Sequence, residues 1–132
     1  MKPKILLLHL CFYPLWLISQ NQIFSPTSNS QQIISHKYYT LSYIEEHEQA
    51  EWVYYELTKE DANGLAKRRN TYRPDPSVQT GSSDIVDFKG SGYDRGHLAP
   101  AGDMKRSDEA MFESFFYSNM SPQSAPFNQG IW

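Results

Sequence analysis

Hydrophobic and polar positions divide the chain into unlike stretches. Residues 5–18 form an apolar run broken only by His9 and Pro14, with Lys2 and Lys4 before it and polar residues after it. A membrane-spanning helix needs about 20 largely apolar residues, so the run predicts a secretory signal peptide over residues 1–19, with a retained membrane anchor as the alternative. Residues 20–37 are rich in Gln, Asn and Ser and carry no period, which predicts a flexible leader with His36 on the surface. From Tyr38 the pattern changes. Aromatic and β-branched residues predict strands over Tyr39–Ile44 and Trp52–Leu57, antiparallel across the polar "HEQA". Further on, Met111, Phe112, Phe115 and Phe116 recur at three and four positions, predicting a helix from about Asp108 to Phe115 with Ser107 as N-cap and that stripe in the core.

Between these elements the signals are local. Thr58 and Asp61 have the spacing of a capping box, and Asn63-Gly64 closes the turn. The window "AKRRNTYRPDP" holds Lys67, Arg68, Arg69 and Arg73, and Pro74 and Pro76 make it a loop or edge segment. It reads as a solvated face or as a phosphate-contacting rim. Residues 77–92, with a short apolar piece at Ile85–Phe88, read as a loop or short strand, and Asn128 as the cap of a new helix.

A formal net charge of −3 over 132 residues does not advertise a nucleic-acid binder, though a locally basic groove would still attract phosphate. Loss of residues 1–19 removes Lys2, Lys4 and the single cysteine, Cys11, leaving a more acidic chain with no thiol. Such a chain is expected to be secreted or periplasmic and to keep no stable membrane association.

The densest chemistry lies in "SGYDRGHLAP", residues 91–100. His97 follows Gly96, whose missing side chain would let a phosphate or a water come close. A neutral imidazole suits the activation of water. In a strand Arg95 and His97 share a face, so the arginine fork can hold phosphate oxygens beside the base, while Asp94 points the other way. On these residues alone a nuclease, a phosphatase and a sugar-phosphate binder all stay open.

"DRGHLAPAGD" followed by "FYSNMSPQSAPFNQGIW" resembles the DNA/RNA non-specific endonucleases, the ββα-metal nucleases, and the likeness extends upstream to "LSYIEEHEQAEWVYYELT" and "RRNTYRPDP". The resemblance implies an α+β fold over residues 38–132, a ββα-metal nuclease core with antiparallel sheet that stops short at the C-terminus. It implies a metal-dependent endonuclease acting on DNA and RNA with weak base preference, or an inactive nucleic-acid-binding fragment of one. By position His97 matches the general base, Arg95 an arginine at the substrate phosphate, and Asn119 an asparagine that orients His97 or a neighbouring water. Asn128 matches the asparagine that holds a single Mg2+ or Mn2+ among waters, and Arg69 or Arg73 a further phosphate contact. The glutamate that family members carry beyond the Asn-Gln-Gly-x-Trp segment has no counterpart before Trp132. Both monomers and homodimers occur in the family.

Overall fold

The computed structural model describes residues 26–30 and 32–132. The apolar run read as a signal or anchor therefore lies outside the described residues, as do residues 20–25 and 31 of the leader.

Three antiparallel strands open the fold: β1 (Gln32–Ser35), β2 (Thr40–Ile44) and β3 (Gln49–Tyr54), with β2 in the middle. The core strand sits where the sequence pattern puts it. β3 is shifted, because the ladder pairs Ile44 with Gln49 and Thr40 with Tyr54; residues 55–57 have no partner on β2 and leave the sheet. Glu48 closes the tight turn between them in a left-handed conformation (φ 48°). The polar leader also holds more order than its composition suggests. β1 pairs along its length with β2 and buries Ile34, which is enough for an edge strand. One face of this sheet buries Leu41, Tyr43 and Val78 with Ile34.

Short helices follow. α1 (Lys59–Ala62) has the capping box read from Thr58 and Asp61, the Thr58 N–H donating to Asp61 Oδ2 at 2.7 Å. α2 (Ile85–Phe88) replaces the loop or strand expected there, because Asp84 and Asp87 form a second capping box that satisfies the first amides of a helical turn. α3 (Asp108–Glu113) starts at Ser107, whose hydroxyl accepts from the Ala110 N–H. Met111, Phe115 and Phe116 enter the core as the stripe predicts. Phe112 does not; it is half exposed and lies under the Arg73 guanidinium at 3.4 Å.

The site is carried by a second, two-stranded antiparallel ribbon, β4 (Asp94–His97) with β5 (Met120–Gln123). The chain then enters a π-helical turn, Phe127–Ile131. Asn128 lies within this turn instead of capping it, because Ser124 already accepts from the Phe127 and Asn128 amides.

A buried polar knot ties the two parts together. His36 Nε2 lies 2.8 Å from Asp75 Oδ2, the Ser118 hydroxyl donates to the same oxygen, and the Ser77 N–H donates to Oδ1. His36 also packs on Tyr39 and Phe116. It is therefore a core residue, contrary to the surface position its polar surroundings suggested. Burial would raise the Asp75 pKa, yet the hydrogen bonds from His36, Ser118 and Ser77 together hold it below the usual carboxylate range.

Candidate active site

The entry to β4 is set by backbone conformation. Gly92 turns the chain at φ 82°, a region that side chains disfavour, and delivers Tyr93 and Asp94 to the strand. Strand alternation then brings Arg95 and His97 to the same side, as the spacing predicts. Both lie against Tyr72, the Arg95 guanidinium 4.2 Å from the ring centre and the His97 ring 6.0 Å from it. Asp94 accepts from Asn128 and Gln129. Those two amides hold its carboxyl below the usual range.

His97 is buried, with the edge of Phe115 against its ring at 4.8 Å. Its Nε2 is buried and has no hydrogen-bond partner among the described residues. Burial first, and the nearby Arg68 charge second, push its pKa down to about 4, so the imidazole is neutral at pH 7. An unpartnered buried nitrogen is costly unless something uses it. His97 lines a cavity of about 400 Å3 together with Arg68, Gly102, Asn128, Gln129 and Trp132, among others.

The C-terminal turn is laid over β4 by side-chain bonds. Asn128 Nδ2 donates to Asp94 Oδ2 at 3.1 Å and Gln129 Nε2 to the same oxygen at 2.7 Å. The Trp132 indole N–H donates to the His97 carbonyl at 2.8 Å, and its ring stacks with Phe127. These contacts bring Asn128 to the cavity of His97, about 30 residues away in the chain.

Other expected residues fall differently. Asn119 is fully buried and its side chain makes its hydrogen bonds away from His97; its Oδ1 accepts from the Ala99 N–H, and its Nδ2 donates to the Ala99 and Ser114 carbonyls. Arg73 is used within the fold, donating to the Phe112 carbonyl and to Thr71 while its plane lies on Phe112. Arg69 is exposed, 3.7 Å from Asp108. Arg68, which the basic window offered without distinction, is the arginine that lines the His97 cavity, with its guanidinium 5.2 Å from the centre of the Phe115 ring. The space over Gly96 is also filled by protein: a Cβ there would lie 1.9 to 2.4 Å from the Gln123 side chain. Gln123 in turn reaches the His97 carbonyl. No sequence signal marks Gln123, since its role comes from ladder register alone.

The donor set suits one kind of ion. Among the described residues no three His, Cys, Asp or Glu side chains gather as a metal cage. With Nδ2 turned to Asp94, Asn128 keeps Oδ1 as a hard oxygen donor at the cavity. Mg2+ takes oxygen ligands and retains several waters, and Mn2+ accepts the same donors, so one amide oxygen in a solvent-filled cavity fits either. Among the described residues no helix is long and apolar enough to cross a membrane.

Comparison with known proteins shows the family. The family model described as DNA/RNA non-specific endonuclease matches residues 20–132. The mitochondrial nuclease EXOG of Mus musculus is 42% identical over 96 residues, 71% of this chain and 26% of that protein. The mitochondrial endonuclease G of Homo sapiens is 38% identical over 103 residues, 76% of this chain and 35% of that protein. Among solved structures, a chain of the EndoG/EndoGI complex superposes with a TM-score of 0.65 at 34% identity, over 76% of this chain and 43% of that one. The chain thus spans between a quarter and a half of the length of these relatives. The expected secreted or periplasmic location is corrected by them, because EXOG and endonuclease G are mitochondrial nucleases. With the family model covering residues 20–132, the chain belongs to the DNA/RNA non-specific endonuclease family.

Proposed function

We propose that this chain carries the catalytic ribbon of a metal-dependent endonuclease that hydrolyses phosphodiester bonds of DNA and RNA with little base preference. The observation that carries the reading is His97: a neutral, buried imidazole with its Nε2 unpartnered, lining a cavity shared with Arg68 and Asn128.

In this reading His97 Nε2 takes a proton from a water as that water's oxygen forms a bond to phosphorus and one bridging P–O bond breaks, the leaving sugar oxygen taking a proton from solvent. The neutral form needed for this step is the one burial already favours. Arg95 and Arg68 hold the phosphate oxygens, where charge gathers in the transition state. Asn119 is a positioning residue, fixing the backbone at Ala99 just beyond the base. Asn128 would hold the Mg2+ or Mn2+, which when bound neutralises phosphoryl charge and acidifies its waters. Contacts made to phosphate and sugar carry little sequence information, which accounts for action on both nucleic acids.

The reading is tested by incubating the protein with supercoiled plasmid and with RNA, with Mg2+ and with EDTA. Nicking and RNA degradation that need the ion support it. Salt-dependent binding with no ion-dependent cleavage would favour the inactive binding fragment instead.

A further inference from the structure

Beside the His97 cavity lies a second one of about 520 Å3, which no step above uses. Arg95 joins it to the catalytic ribbon, and Asn128 and Gln129 line both cavities. Its other walls are Tyr72, Phe88, Lys89 and Tyr93. Tyr93 is 56% exposed, and among the described residues its ring stacks on no other ring. Ile85, at the start of α2 and 52% exposed, adds apolar surface to the same cavity. An exposed aromatic ring beside two cations offers a stacking face for a base next to groups that hold phosphate.

Its backbone is fixed. The Tyr93 N–H donates to the Ser91 hydroxyl at 3.1 Å, which itself donates to the Phe88 carbonyl at 2.8 Å, tying the loop to the end of α2. Positive φ at Gly90 and Gly92 sets the turn on either side of Ser91. The ring is therefore presented from a braced loop, with little ordering left to do on binding. Asp94 also lines this cavity as an anion, but the two cations Arg95 and Lys89 outnumber its single charge.

We infer that this cavity receives an unpaired nucleobase of the nucleotide next to the scissile phosphate, stacked on Tyr93, with Lys89 and Arg95 on the flanking phosphates. The inference rests on the nuclease reading and adds a subsite to it. A π-face accepts every base, so the subsite strengthens binding without creating sequence preference.

The test is fluorescence anisotropy in EDTA, where nothing is cleaved, with a labelled single-stranded oligonucleotide and an abasic strand of the same length. Tyr93→Ala is expected to weaken binding of the normal strand about tenfold, Tyr93→Trp to restore it, and the two variants and the native protein to bind the abasic strand alike. Native-like affinity of Tyr93→Ala for the normal strand, or an equal loss on both strands, overturns the subsite. The two readings fail separately: a subsite failure leaves Mg2+-dependent cleavage intact. If instead the native protein binds neither strand, both fall.

Discussion

Asn119 grips Ala99 from both sides, its Oδ1 accepting from the Ala99 N–H at 2.8 Å and its Nδ2 donating to the Ala99 carbonyl at 3.0 Å. The same Nδ2 reaches the Ser114 carbonyl, so one buried amide fixes the chain just after His97 to the end of α3. Asn119→Ala leaves these backbone groups buried and unpaired, and should lower stability by about 3 kcal/mol in urea titration. Asn119→Asp should cost at least as much, because it turns a carboxylate oxygen toward two carbonyls. In protein that remains folded, either variant should lower kcat more than it raises KM, since the base and not the substrate contacts is displaced.

The His36–Asp75 pair makes stability sensitive to acid. Asp75 has its folded pKa held below the usual carboxylate range, so its contribution is fully present above that range and is lost as pH falls through the lowered value. Asp75→Ala strands His36 and Ser118 in the core and should cost about 3 kcal/mol at pH 7. Its denaturation midpoint should vary less with pH on the acid side than that of the native chain.

His97 acts in the same direction. Its pKa is pushed from 6.5 to about 4 in the folded chain, so the unfolded chain takes up the proton first and stability falls between those values as pH drops. Cleavage should follow the neutral imidazole. The acid limb of kcat/KM is therefore expected near pH 4, well below the ordinary histidine range. An acid limb near pH 6.5 would show that the base is a solvated histidine. Arg68→Ala should move the limb upward only in part, because burial is the larger cause.

Arginines of the basic window should separate by role. Arg68→Ala should weaken binding to DNA and RNA alike and reduce the slope of log affinity against log salt by about 1. Arg73 spends its donors on Phe112 and Thr71. Arg73→Ala should leave the salt slope unchanged and cost about 1 kcal/mol of stability in chemical denaturation.

What could be read in advance was periodic or contiguous. β2 was legible because aromatic and β-branched residues crowd one short run, and α3 because its apolar positions repeat at helical spacing behind a serine cap. The shared face of Arg95 and His97 follows from a period of two. β1 was hidden because an edge strand needs only Ile34 to anchor it, and α2 because one capped turn is too short to show a period. His36 with Asp75, Asn119 with Ala99, and Gln123 over Gly96 are meetings of distant segments that no local pattern encodes. Arg68 was indistinguishable from Arg69 because loop geometry alone decides which of them faces His97.

The most direct measurement is single-turnover cleavage of plasmid DNA in Mg2+ by the native chain and by His97→Ala, each first shown to melt cooperatively. The account predicts that the native chain cleaves and that His97→Ala loses at least about a hundredfold in rate while binding DNA as before. Equal cleavage by the two proteins would contradict it.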